Sequence, residues 1–140
     1  NYKLVFNDIV DYVSPWHGAI ANIIPSSNDD DDVWGVIHEF DKQTAERLTK
    51  NLTGSNGIYQ LIRVTVKYPD NRTVDCSSFE LRNPLPGERR PSPQYLSMVV
   101  AGAMQKGLPE EYTNKLKRVV HNSHEGPISL DDKAIGELTY

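Results

Sequence analysis

Residues 91–112 read PSPQYLSMVVAGAMQKGLPEEY, and this stretch decides the fold class. Ser92 followed by Pro93 is an N-cap with proline at the first helical position, where its missing N–H costs nothing. Tyr95, Leu96, Val99, Val100 and Ala103 then recur at helical spacing, which predicts an amphipathic helix from Pro93 to Lys106. Gly107 ends it. Pro109-Glu110-Glu111 opens a second helix running to about Val120, acidic in its first turn and basic in its last, as the helix dipole favours.

Upstream, the pattern is that of strands. Residues 2 to 7 read as one. Gly18 to Ile24 reads as a second, apolar and β-branched. After the Pro, Ser, Asn and Asp loop of residues 25–32, Val33 to Phe40 (VWGVIHEF) predicts a third strand, apolar enough to be covered on both faces. Asp41 is an N-cap for a short helix over Thr44 to Lys50, with Ala45 and Leu48 inward. Ile58 to Tyr68 alternates clearly: Ile58, Ile62, Val64 and Val66 share one face, and Tyr59, Arg63, Thr65 and Lys67 the other. The turn at Pro69-Asp70-Asn71-Arg72 returns the chain as Thr73 to Arg82, completing a β-hairpin. Asn83 to Pro91 is a linker with three prolines. Strands first and helices second predict an α+β domain, a sheet or small barrel with helices on one side.

A chain of 140 residues is one domain. At this size folding buries about 68% of the unfolded surface, enough to fold without disulfide or metal. No apolar run approaches the roughly 18 residues of a membrane helix. With 15 basic and 19 acidic side chains, and no Lys/Arg-rich run, a basic nucleic-acid-binding face is not expected. The one cysteine, Cys76, excludes an internal disulfide and reads as a small buried side chain in a strand. The chain opens at Asn1 and enters a strand at once, which reads as a processed precursor or as part of a longer protein. Residues 121–140 form a polar tail, with one short helix expected after Ser129.

The candidate chemical groups are dispersed. His17, His38, His121 and His124 have no Cys or His partner at metal-ligand spacing, so no metal is expected. His38 reads as a sheet histidine, and His121 and His124 as surface residues. Asp29 to Asp32 lacks the glycine and closing glutamate of a calcium loop and reads as a solvated turn. Asn51-Leu52-Thr53 and Asn71-Arg72-Thr73 are N-glycosylation sequons, Asn71 lying in the hairpin turn.

Trp16-His17-Gly18-Ala19-Ile20-Ala21-Asn22-Ile23-Ile24, Asp32-Val33-Trp34-Gly35-Val36, Asn56-Gly57-Ile58-Tyr59, Pro91-Ser92-Pro93-Gln94-Tyr95 and Gly107-Leu108-Pro109-Glu110-Glu111-Tyr112 occur in this order. Together they resemble the γ-glutamylcyclotransferase family, in particular its animal members, over residues 2 to 120. The resemblance implies a small mixed β-barrel with helices outside, a cavity for a γ-glutamyl group, and a cytosolic protein. It implies a reaction in which the substrate's α-amine attacks its own γ-carbonyl, releasing 5-oxoproline and an amino acid without cofactor or metal. One buried glutamate moves the proton, and backbone N–H groups of a Y-G-S-N loop hold the glutamyl carboxylate.

The chain departs from that pattern twice. The Y-G-S-N loop and its strand are absent, so an upstream peptide or a second chain is expected to complete the barrel; an open edge also favours a homodimer. Counting back from Gly57-Ile58-Tyr59 and forward from Leu48, the catalytic glutamate position falls on Leu52. Leucine cannot carry a proton, and loss of that role alone lowers the rate by about 10²–10⁴-fold. Glu39, next to His38 on a strand that should line the barrel, is the substitute acid to consider, with Glu46 behind it. Tyr59, Phe79 and Tyr95 match pocket positions. The expected function is therefore a non-catalytic member that binds a small ligand or a partner. The alternatives are an active cyclotransferase and, if the sequons are used, a secreted structural protein on the same fold.

Overall fold

A two-stranded antiparallel ribbon is marginal alone, and this chain makes two of them. The computed structural model describes residues 1–128. The first ribbon pairs β1 (Tyr2–Asn7) with β2 (Ile20–Pro25), Val5 opposite Asn22. Helix α1 (Lys42–Thr53) follows. The second ribbon pairs β3 (Tyr59–Lys67) with β4 (Thr73–Leu81), Val64 opposite Cys76. Helices α2 (Pro93–Gln105) and α3 (Glu110–Lys117) close the order. The fold is α+β, as the sequence predicts.

Side chains join the ribbons where no shared backbone ladder does. The Leu81 N–H points out of the second ribbon and donates to Asn22 Oδ1 on β2, at 2.9 Å. Asn22 Nδ2 donates to Asn7 Oδ1 (3.1 Å), and Asn7 Nδ2 to the Gly87 carbonyl (3.2 Å). Asn22 is 4% exposed and Asn7 is buried, so each amide satisfies a partner that water does not reach. The outward Ala21 N–H of β2 is met by the Tyr95 hydroxyl of α2, at 3.1 Å. Segment 85–90 lies along the end of β1, with Leu85 N–H on the Asp8 carbonyl and Arg89 N–H on the Phe6 carbonyl.

The apolar core forms three contiguous patches. Ile9, Trp16, Ile20 and Leu81 pack together, with Tyr59 and Tyr95 against them. Phe6, Ala19 and Leu96 form the second. Ala103, Tyr112 and Leu116 join α2 to α3 and receive Trp34. Both predicted caps are present: Asp41 Oδ1 accepts from Thr44 N–H at 2.9 Å, and Ser92 Oγ from Tyr95 N–H at 3.2 Å. Ser92 is wholly buried because β2 is entered beside it: the Ala19 N–H donates to the Arg90 carbonyl. A Cβ on Gly18 would press into the Ser92 backbone nitrogen, which explains the glycine of Trp16-His17-Gly18.

Three expectations are corrected. Val33–Phe40 forms no strand. A strand needs a partner ladder, and no described strand lies alongside; Val36 is 45% and Phe40 40% exposed. His38 is accordingly an exposed residue, its ring 6.0 Å from that of Phe40, and not a sheet histidine. Cys76 is half-buried because only one face of the hairpin is covered. The described strands form two antiparallel two-stranded sheets that do not themselves close into a barrel. Residues 121–128 of the polar tail pack back on the domain. Asn122 donates from its backbone to the Pro91 carbonyl and from Nδ2 to the His17 carbonyl, and Gln94 holds the His124 and Gly126 carbonyls. The helix expected after Ser129 lies outside the described residues.

These contacts set three expectations. Asn22→Ala leaves the Leu81 N–H buried without an acceptor and should cost about 1–3 kcal/mol in urea unfolding. Gly18→Ala should cost about 1–3 kcal/mol by overpacking against Ser92. Burial raises the Tyr95 hydroxyl above its ordinary 10.0, against the opposing pull of the Ala21 N–H. A raised folded pKa means that its stabilising contribution is complete below about pH 10 and is lost as pH rises through the folded value. Tyr95→Phe should therefore flatten the alkaline fall in stability followed by circular dichroism.

Candidate functional site

Alternation sorts the base of the second hairpin into two faces. Tyr59, Leu61, Phe79 and Leu81 share one, because cross-strand partners point to the same side. Gln60, Glu80 and, one step beyond the strand, Arg82 share the other. The Arg82 N–H continues the ladder by donating to the Ile58 carbonyl at 2.8 Å.

The first face carries the aromatic residues expected in a pocket. The Tyr59 and Phe79 rings meet edge to face, 6.4 Å apart. Tyr95 lies 5.1 Å from Trp16 and 6.4 Å from Phe6, centre to centre. Tyr59 and Tyr95 thus converge on one patch, the cluster of Ile9, Trp16, Ile20 and Leu81. The Tyr95 hydroxyl is occupied by the Ala21 N–H, so its role here includes holding α2 to β2.

Leu52 stands in the last full turn of α1. It is half-buried, as are Ala45 and Leu48, and the i, i+3, i+7 spacing puts all three on the side that packs on β3. A Cβ on Gly57 would collide with the Leu52 carbonyl, so the close return of the chain beneath this helix end requires glycine at this position. Arg82 Nη2 clamps the same end by donating to the Thr53 carbonyl at 2.5 Å. Glu39 is exposed, outside any strand, and Glu46 is exposed on α1.

The carboxylate that the fold directs toward a cavity is Glu80, which the sequence reading passed over. Its signal was available: counting pairs outward from the 69–72 turn sets Glu80 opposite Gln60 on the face away from Tyr59. Gln60 Nε2 donates to Glu80 Oε1. The two ribbons diverge here and leave a cavity of about 470 Å³ lined by Asn22, Gln60, Glu80, Leu81, Arg82 and Asn83, among others. A second hollow, of about 220 Å³, lies at residues 7–14 with His17, Gly18 and Ile20. Leu52, Tyr59, Phe79 and Tyr95 line neither.

The remaining candidates separate. His17 and His124 stack face to face at 4.6 Å, while His121 is exposed. Asp32 binds the Trp34 indole N–H at 2.7 Å, and Asp31 the Ser26 hydroxyl. Among the described residues, no three His, Cys, Asp or Glu side chains come together as a metal site. Asn51 is exposed on α1; Asn71 is exposed at the tip of the second hairpin, with a left-handed φ of 69°.

Comparison with known proteins places this arrangement. The AIG2-like family matches residues 32–116. The γ-glutamylcyclotransferase of Mus musculus is 34% identical over 130 residues, covering 92% of this chain and 67% of its own length. That of Bos taurus is 36% identical over 116 residues, covering 81% and 58%. The chain thus spans about three fifths to two thirds of these relatives. A solved γ-glutamyl cyclotransferase superposes with a TM-score of 0.82 at 32% identity, over 96% of this chain and 77% of that one. A Homo sapiens structure described as an uncharacterized protein gives 0.82 at 31% identity, over 99% and 79%. By sequence along most of its length, and by the path of its backbone, the chain belongs to the γ-glutamylcyclotransferase family within the AIG2-like group.

Proposed function

We propose that this chain is a member of the γ-glutamylcyclotransferase family that binds a small ligand without turning it over. The observation that carries the reading is Leu52. Proton transfer from an α-ammonium to a leaving amine needs a titratable group at that point, and an aliphatic side chain supplies none. Glu39, the first substitute considered, is exposed and off any sheet, so it lends no support to activity. The cavity lined by Asn22, Gln60, Glu80 and Arg82 supports retained binding.

The same reading takes the family barrel to be completed by an extended segment lying along Val33–Phe40. That stretch has the composition of a buried strand, and such a neighbour would cover its exposed Val36 and Phe40. One observation favours the rival reading of an active cyclotransferase: Glu80 lines a cavity on the hairpin face where Arg82 clamps the end of α1.

Release of 5-oxoproline from γ-glutamyl-L-alanine separates the two. The unmodified protein should release 5-oxoproline at least about 10²-fold more slowly than Leu52→Glu. Turnover by the unmodified protein, abolished in Glu80→Gln, would overturn the binding-only reading.

A further inference from the structure

From the inter-ribbon cavity we infer that its occupant is a small α-amino-acid zwitterion, its ammonium on Glu80 and its carboxylate on Arg82. The inference rests on the binding reading above and names the ligand class and the residues.

Glu80 and Arg82 are two residues apart in extended backbone, on one face, and both line the cavity. Neither makes an ion pair with a described residue; the pairs formed are Lys3–Glu88, Lys42–Glu46, Arg72–Asp70 and Arg89–Asp8. Two half-buried opposite charges are therefore held side by side without neutralising each other. Each is fixed instead by a neutral group. Gln60 Nε2 occupies one Glu80 oxygen and leaves the other free to accept. The Thr53 carbonyl occupies one Arg82 N–H and leaves the rest of the fork free to donate. Orientation before binding reduces the ordering cost that long charged side chains otherwise impose.

The charges select the ligand. A carboxylate and a guanidinium on alternate residues of one strand face call for an ammonium and a carboxylate carried close together, as on the α-carbon of an amino acid. A monoanion or monocation would leave one of the two charges unmet. Asn22 closes the floor of the cavity, and both its amide groups are engaged with Leu81 and Asn7, so it acts as a wall. Tyr59 and Phe79 point to the opposite face of the hairpin and take no part.

The test is a titration of the ¹⁵N-labelled protein with L-alanine, followed by NMR, beside N-acetyl-L-alanine (no ammonium) and L-alaninamide (no carboxylate). L-Alanine should shift the amide signals of Gln60, Glu80 and Arg82, and the two blocked forms should not. Glu80→Gln, which preserves shape, should weaken binding by about 10-fold or more. Arg82→Gln should do the same; because it also loosens the end of α1, Arg82→Lys, expected to retain part of the affinity, controls for folding. No shifts at these residues at millimolar L-alanine, or equal affinity in Glu80→Gln, overturns the inference. γ-Glutamyl-L-alanine, which carries the same head group, reports whether a longer ligand is preferred. Release of 5-oxoproline is read separately: turnover would sink the binding-only reading, while loss of L-alanine binding in Glu80→Gln would stand independently of it.

Discussion

The Leu81 N–H lies in the interior, facing a neighbouring strand that offers it no carbonyl. An unmet buried donor of this kind costs about 1–3 kcal/mol, and the fold answers with the Asn22 side chain. That answer sets the separation of the two ribbons, because an amide side chain is longer than the backbone contact it replaces. The same device recurs on the other ribbon, where the Tyr95 hydroxyl accepts from Ala21. Strand edges that would otherwise invite pairing are closed by side chains at these two points. The cavity between the ribbons follows from the extra distance, and so does the burial of Asn7, which completes the chain of amides to Gly87.

Around this joint the family motifs act as spacers. Gly18 permits the backbone of Ser92 to pass in contact, and Ser92 in turn caps α2 and delivers Tyr95 to β2. Gly57 does the same beneath the end of α1, at the Leu52 carbonyl. That contact involves backbone only, so the turn does not depend on the leucine side chain at position 52. Tyr112 receives Trp34 in the α2–α3 patch; burial raises its hydroxyl pKa, opposed by the Trp34 N–H directed at it. One end of the Val33–Phe40 segment is thus anchored while the rest runs unpaired.

Two kinds of residue surround the second hairpin. The aromatic face of Tyr59 and Phe79 belongs to the core and is continuous with Tyr95. The polar face of Gln60, Glu80 and Arg82 belongs to the cavity and to the end of α1. The chain keeps a carboxylate and a guanidinium facing one cavity.

Local chemistry sufficed for the parts of the fold whose determinants are adjacent in sequence. Asp41 and Ser92 specified helix starts, alternation over residues 58–68 specified the hairpin strand and its faces, and the 91–112 stretch specified two helices. Only the tertiary structure decided the rest. Val33–Phe40 has strand composition, but a strand exists only where another chain segment offers its ladder, and that is a property of three-dimensional neighbours. His38 and Glu39 fell with it, because their facing depended on that strand. Glu80 and Arg82 became a site because Asn22, 58 and 60 residues away, holds a second ribbon at the distance that leaves space before them.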